Sequence, residues 1–179
     1  AHENGYFDEE IVPVEIEGRK ETTLFEVDEG PRTDVTMEKL SKLPPVFDRD
    51  NGIVTAGNSS GITDGAGSMV LSTADTAKER GLEPIGRLVE WGVSGCDPTI
   101  MGYGPVPAIR MALDRADMSL DQMELVEVNE AFAAQYVAVE KELGLDREVT
   151  NVDGGAISLG HPLAASGTRI MMHLLYELR

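Results

Sequence analysis

The chain has 179 residues and a net charge of −17 at pH 7, from 15 basic and 32 acidic side chains. So large a negative charge argues against a nucleic-acid partner and against binding to an anionic membrane surface. Hydrophobic residues make up 41% of the chain, which predicts a packed core, and no apolar run approaches bilayer length. The acid-rich, lysine-poor composition fits a salt-loving host and an ordinary solvated acidic face equally well.

Cysteine and histidine are sparse. The single cysteine, Cys96, excludes an internal disulfide and a cysteine-based metal cluster, and a small core side chain is its favoured interpretation. The three histidines, His2, His161 and His173, are far apart in the sequence and show no ligand spacing. We therefore expect no metal site.

The first part of the chain is irregular. Residues 1–50 are charged and rich in proline, which predicts a loop-rich excursion rather than a layer of the core. Within them, residues 35–43 predict a short helix that stops at a pair of prolines. A buried strand at residues 67–73 and a helix at residues 74–80 are predicted next, with Gly81 as the helix C-cap.

The remaining chain predicts strands that alternate with helices. The strands are predicted at residues 84–93, 123–128 and 149–152, and the helices at residues 105–118, 131–143 and 162–178. This alternation predicts an α/β fold in layers, with a mostly parallel or mixed sheet that helices cover on both faces. Since no strand follows the last helix, we expect the fold to be incomplete at both ends.

A glycine-built loop at residues 154–160 places His161 directly before Pro162, which can open a helix. The partial positive charge at a helix N-terminus favours a neutral imidazole that can accept a proton. Asn129 follows the strand at residues 123–128, and the carboxyl ends of parallel strands meet at one edge. We therefore expect both side chains at the same edge, although a helix N-cap also explains Asn129.

Four segments together resemble the thiolase family, above all its 3-ketoacyl-CoA and acetoacetyl-CoA members. They are residues 55–66, 101–108, 129–135 and 154–169, and they stand in family order and at family spacing. The resemblance implies a thiolase-like fold and aligns the chain with the second half of that family. It implies that residues 1–50 belong to the loop domain, 51–82 to the end of the N-terminal half, and 83–179 to the C-terminal half without its last strands.

The resemblance also implies an activity. Thiolases transfer an acyl group from a 3-ketoacyl-CoA to CoA, or run the reverse Claisen condensation, through an acylated cysteine. The family's nucleophilic cysteine and its acid/base cysteine both fall outside this chain, and Cys96 matches neither, so we expect the isolated chain to be inactive. The residue that matches His161 activates the nucleophile, and the residue that matches Asn129 holds a water, so that the two form an oxyanion hole.

Further residues are implied only by the resemblance. The candidates for binding CoA and the acyl chain are Arg32, Ala56, Ser60, Met101 and Phe132. A surface ion pair with Asp34 or Glu29 also explains Arg32, and plain core packing also explains Met101 and Phe132. No cofactor is expected to be bound permanently, since CoA and acyl-CoA are substrates. A homo-oligomer, dimer or tetramer, is implied, in the cytoplasm or in the mitochondrial matrix of a eukaryote.

Two other functions share some of these sequence features. A non-catalytic acyl-CoA or lipid-binding module with a thiolase-like fold stays open as the alternative. A dinucleotide-binding oxidoreductase is disfavoured, because Gly102-Tyr103-Gly104 has no third glycine at the required spacing and no acidic ribose ligand follows.

Overall fold

A computed structural model describes residues 1–179. It contains six α-helices and one two-stranded sheet. The strands are β1 (Val14–Glu17) and β2 (Thr22–Phe25), and the helices are α1 (Met37–Ser41), α2 (Ala74–Glu79), α3 (Pro105–Ala116), α4 (Ala133–Leu143), α5 (Ala156–Leu159) and α6 (Ser166–Glu177). Three short 3-10 helices, at His2–Asn4, Pro98–Tyr103 and Leu120–Gln122, complete the elements. No helix has both the length and the apolar character that a bilayer crossing requires.

The first 50 residues form the loop-rich excursion that their composition predicts. Strands β1 and β2 pair antiparallel, with Val14 opposite Phe25, and every residue of both strands is exposed. Helix α1 confirms the short helix predicted within residues 35–43. It begins after Thr36, whose side chain accepts a hydrogen bond from the backbone nitrogen of Lys39 at 3.2 Å.

A small core lies between α3 and α4. Val106 of α3 and Val139 of α4 are fully buried, and Val128 and Leu145 pack with them. Helix α4 ends at Gly144, which adopts a left-handed conformation with φ of +68°. Both helices were predicted, and their ends lie within two residues of the prediction. Because Val128 belongs to this core, it fixes the backbone position of the next residue, Asn129.

The strands predicted at residues 123–128 and 149–152 meet as a single parallel bridge between Val126 and Thr150. The backbone nitrogen of Val126 donates to the carbonyl of Val149 at 2.8 Å, and the nitrogen of Asn151 donates to the carbonyl of Val126 at 2.9 Å. This confirms the parallel pairing. It also brings the residues that follow the two segments to the same edge.

Two other predicted strands are absent from the described chain. Residues 67–73 and 84–93 form no strand, and most of these residues are exposed: Val70 is 94% exposed and Trp91 is 60% exposed. The prediction of a buried strand at residues 67–73 is therefore wrong for this chain. The physical reason is that a strand needs a hydrogen-bonded neighbour, and no backbone ladder joins either segment to another part of this chain.

The last helix begins later than predicted. Residues 162–165 form a turn, and α6 starts at Ser166 rather than at Pro162. The helix is held by His173, which is 1% exposed and whose Nδ1 lies 2.6 Å from Oε1 of Glu10. This contact fixes α6 against the first residues of the chain.

Candidate active site

The backbone around His161 is held from two sides. Gly160 turns the chain after α5 with φ of +95°, a conformation that side chains disfavour. The backbone nitrogen of His161 then donates to the carbonyl of Gly61 at 2.8 Å, and a parallel bridge joins His161 to Ile62. The imidazole therefore projects from a backbone whose position the segment around Gly61 fixes.

Both ring nitrogens of His161 have a partner. Nε2 lies 3.3 Å from Nδ2 of Asn129, and Nδ1 lies 2.6 Å from the hydroxyl of Ser166. Since an amide nitrogen can only donate, Nε2 accepts in this arrangement, and the ring hydrogen is on Nδ1. The hydroxyl of Ser166 accepts that hydrogen and donates its own to the carbonyl of Pro162 at 3.2 Å. These contacts orient the ring with Nε2 as its hydrogen-bond acceptor.

Asn129 has one unused group. Its Oδ1 is buried and has no hydrogen-bond partner within the chain. A buried acceptor of this kind costs about 1 to 3 kcal/mol when it is left unpaired. The arrangement therefore suits a small hydrogen-bond donor that enters beside the His161–Asn129 pair, such as the water that the resemblance implies.

Ser60 and Phe132 belong to two paired segments, one leading to Gly61 and the other following Asn129. Both the backbone nitrogen and the hydroxyl of Ser60 donate to the carbonyl of Ala131, at 3.1 Å and 3.0 Å. An antiparallel bridge joins Ser59 to Phe132. Since Ser60 precedes Gly61, which holds the His161 backbone, this turn connects the start of α4 with the histidine.

The other residues implied to bind CoA lie further out. Ala56 and Arg32 are exposed, and Met101 is 75% exposed, so core packing does not explain Met101. Phe132 is 36% exposed, and its ring meets that of Phe47 edge-on, with centroids 6.5 Å apart. None of the three exposed residues contacts His161.

The ion pair considered for Arg32 is not formed. Arg32 makes no salt bridge, and Asp34, one of its two candidate partners, lies 2.6 Å from the ammonium group of Lys39 instead. The guanidinium of Arg32 is therefore an exposed positive charge in a strongly acidic chain.

The sequence did not predict the contacts of three residues next to the site: Ser166, Asn151 and Glu130. The Glu130 carboxylate accepts from Nδ2 of Asn151 at 3.1 Å and from the backbone nitrogen of Ile157 at 3.3 Å. Because both of its carboxylate oxygens accept from structural donors, Glu130 acts here as a structural residue. Asn151 lies inside the segment predicted as a strand at residues 149–152, and a strand assignment does not indicate the left-handed backbone on which its contacts depend.

A second group of titratable side chains lies under the glycine loop. Glu10, His173 and Glu177 place possible ligand atoms within 4.8 Å of one another. However, the 2.6 Å between Nδ1 of His173 and Oε1 of Glu10 is a hydrogen-bond length. Two ligands of a tetrahedral zinc ion would be about 3.3 Å apart. The geometry is that of a hydrogen-bonded pair.

Two family models match the chain: that of the thiolase N-terminal domain covers residues 1–75, and that of the thiolase C-terminal domain covers residues 82–179. The chain belongs to the thiolase family. It is 58% identical to the 3-ketoacyl-CoA thiolase of Bos taurus mitochondria over 179 residues, which are 100% of this chain and 45% of that relative. The resemblance stated from the four segments is thereby confirmed.

Solved structures confirm the fold. The crystal structure of human mitochondrial 3-ketoacyl-CoA thiolase matches with a TM-score of 0.93 at 55% identity, over 100% of this chain and 45% of that one. A crystal structure of the human thiolase in complex with CoA matches with a TM-score of 0.91 at 55% identity, over 100% and 44% of the two chains. The chain therefore has the α/β thiolase fold and spans less than half the length of these relatives.

The Glu127 carboxyl makes the stability of this thiolase segment depend on pH. Burial raises its pKa from 4.5 to about 7. Since the folded state holds this proton more tightly than the unfolded state, the stabilisation is complete below pH 4.5 and is lost as pH rises through 7. Glu127→Gln should therefore raise the free energy of unfolding at pH 8 by about 1 to 2 kcal/mol, once partial solvent screening is allowed for, and leave it nearly unchanged at pH 4.5.

Urea unfolding at both pH values measures this difference. Glu124→Gln is the matched control, because Glu124 is an exposed carboxyl three residues earlier on the same segment. An equal gain at pH 8 in both variants, or none in Glu127→Gln, would contradict the assigned cause.

Gly155 is required by the close approach of Glu130. A Cβ atom at residue 155 would overlap the Glu130 carboxyl group. Gly155→Ala should therefore displace that carboxylate from its two donors and destabilise the fold by about 2 to 4 kcal/mol. Gly167→Ala is the control, since a Cβ there meets nothing within 4 Å and alanine favours the helix. Thermal unfolding measures both, and similar melting temperatures for the two variants would contradict the expectation.

Proposed function

We propose that this chain is a segment of a thiolase-type acyltransferase, which moves an acyl group from a 3-ketoacyl-CoA to CoA or runs the reverse Claisen condensation. The observation that carries the proposal is the contact of 3.3 Å between His161 Nε2 and Asn129 Nδ2 in a chain of this family. We call the full-length protein that contains this segment the parent protein. Its nucleophilic cysteine and its acid/base cysteine would lie outside these 179 residues.

In the proposed reaction His161 is the base that activates the nucleophile. Nε2 removes the proton from the cysteine thiol, and the thiolate attacks the 3-keto carbon. The bond between the keto carbon and the neighbouring carbon then breaks, and its electron pair goes to that carbon and the thioester oxygen. A second acid supplies the proton that completes acetyl-CoA, and CoA thiolate removes the acyl group from the cysteine.

Two groups of this chain would stabilise the negative oxygen. The protonated Nε2 of His161 donates one hydrogen bond, and a water held by Oδ1 of Asn129 donates another. The buried and unpaired state of that Oδ1 supports this role. Ser166 supports the histidine, since its hydroxyl accepts from Nδ1 and so directs the free electron pair to Nε2.

CoA and acyl-CoA are proposed as substrates rather than as permanently bound cofactors. Ser60 and Phe132 adjoin the His161–Asn129 pair, and Ala56 and Met101 would line the channel further out. Arg32 would meet a phosphate of CoA, because its guanidinium is exposed and has no carboxylate partner. The CoA complex of the human relative supports a CoA-binding role.

The test is an exchange of segments. This chain would replace the matching segment of the bovine relative, and thiolysis of a 3-ketoacyl-CoA would be followed. Activity that depends on His161 supports the proposal. A folded exchange protein that binds CoA in titration calorimetry but has no activity would favour the alternative, a non-catalytic acyl-CoA or lipid-binding module. Burst acylation by the isolated chain would contradict a nucleophile outside it.

Three further properties of the parent protein are proposals. We expect a homo-oligomer, dimer or tetramer, in the cytoplasm or, in a eukaryote, in the mitochondrial matrix. The division at residues 50 and 82 into a loop domain and two halves stays a prediction. Its test is limited proteolysis of the parent protein, which should cut the loop domain first.

A further inference from the structure

We propose that Asn151 is a positioning residue that fixes Asn129 for the reaction by holding the backbone of the residue before it and the side chain of the residue after it. This inference rests on the proposed function. Asn151 touches neither the imidazole nor any group that would react. It acts through Val128 and Glu130, the two residues that flank Asn129 in the sequence.

The side chain of Asn151 makes the hydrogen bonds that a further pair of backbone groups would make in a parallel ladder. The parallel pairing of Val126 with Thr150 ends at Asn151, where the backbone turns into a left-handed conformation with φ of +49°. The side-chain amide then continues the pairing. Its Oδ1 accepts from the nitrogen of Val128 at 2.8 Å, and its Nδ2 donates to the carbonyl of Val128 at 2.9 Å. Both backbone groups of Val128 are thus held by one side chain.

The side-chain amide of Asn151 also contacts Glu130, the residue after Asn129. Nδ2 of Asn151 also donates to Oε1 of Glu130 at 3.1 Å, and Oε2 of Glu130 accepts from the nitrogen of Ile157 in α5 at 3.3 Å. Helix α5 leads through Gly160 directly to His161. The pair Asn151–Glu130 therefore connects the backbone that carries Asn129 with the loop that carries His161.

Only an amide satisfies this set of contacts. The position needs one acceptor, for the nitrogen of Val128, and two donor hydrogens, for a carbonyl and a carboxylate. Aspartate has nearly the same shape and also tolerates the left-handed backbone. It would supply the acceptor, but its carboxylate would face the carbonyl of Val128 and the carboxylate of Glu130 without a hydrogen to donate.

The experiment uses Asn151→Asp in the parent protein. We expect kcat for thiolysis to fall by about 10- to 100-fold, because a small misplacement of Asn129 weakens stabilisation of the transition state. KM should change much less. The loss should shrink as pH falls, since one of the two facing carboxyls then gains a proton and can donate again. Asn51→Asp, the same change at an exposed asparagine, is the matched control and should keep the kcat and pH profile of the unaltered protein.

A second variant separates positioning from a general loss of structure. In Asn151→Asp combined with Glu130→Gln, the glutamine amide donates to the new carboxylate and its carbonyl still accepts from Ile157. We expect this double variant to have a higher kcat than Asn151→Asp and to lose the added pH dependence. An unchanged kcat in Asn151→Asp overturns the inference, and so does a double variant no better than the single one.

Two further outcomes are decided by the same set of proteins. If Asn151→Asp does not fold, the single variant Glu130→Gln is measured instead, because it removes one contact of the Asn151–Glu130 pair. A severalfold lower kcat in Glu130→Gln supports the inference, and an unchanged kcat overturns it. Failure of the proposed function is distinguishable, because the unaltered parent protein would then show no thiolysis, or thiolysis that His161→Ala leaves unchanged. A His161-dependent enzyme that is indifferent to Asn151 overturns the positioning role alone.

Discussion

Replacement of His161 by alanine is expected to lower kcat of the parent protein by about 1,000-fold. The change removes Nε2, which in the proposed reaction first accepts the thiol proton and then donates to the negative oxygen. Both functions depend on one atom, whose orientation is set by the contacts of 3.3 Å with Asn129 and 2.6 Å with Ser166. The loss should appear in the acylation step, measured as the single-turnover release of acetyl-CoA.

His2→Ala is the control for this experiment. His2 lies near the start of the chain, 3.9 Å from the carboxylate of Asp28, and touches no residue of the proposed site. It should keep the activity of the unaltered protein. If His161→Ala acylates at the rate of His2→Ala, the base assignment is wrong.

The second large effect is expected from Asn129→Asp, which should lower kcat by about 100-fold or more. The side chain keeps its shape, but a carboxylate replaces the amide that faces Nε2. This negative charge would hold the imidazole in its charged form, so that it no longer accepts the thiol proton. It would also repel the oxygen on which negative charge develops in the transition state.

Steady-state kinetics with a 3-ketoacyl-CoA measures this effect, with Asn51→Asp as the exposed control. KM should change less than kcat, since in the proposed function other residues hold the substrate. A kcat for Asn129→Asp within twofold of that control would exclude Asn129 from the chemical step.

Helices of this chain were predictable because their signals are local. Helix α4 ends at Gly144, and α2 begins after Thr73, whose hydroxyl accepts from the nitrogen of Thr76. Such caps and apolar spacing lie within a few residues of one another. The prediction of a strand at residues 67–73 was wrong because strand formation depends on contacts that are distant in the sequence. Apolar composition indicates what could pair, whereas a ladder requires a second segment at hydrogen-bonding distance.

The core of the candidate site was predictable, but its supports were not. His161 and Asn129 follow two segments that pair in parallel, so a general rule about the edges of such sheets brings them together. The contact from Ser166 depends on a helix that starts four residues later than Pro162 suggests. The contacts of Asn151 depend on a left-handed turn within the segment predicted as a strand, and asparagine tolerates that conformation without requiring it.

The solvent-open segments at residues 67–73 and 84–93 have a practical consequence. Unpaired backbone beside exposed apolar side chains can hydrogen-bond with further copies of the chain, and this is a common route to insoluble aggregates. Val70 and Trp91 lie on these segments and are 94% and 60% exposed. Expression of these 179 residues alone should therefore yield inclusion bodies, and co-expression with polypeptide that covers both segments should recover soluble material.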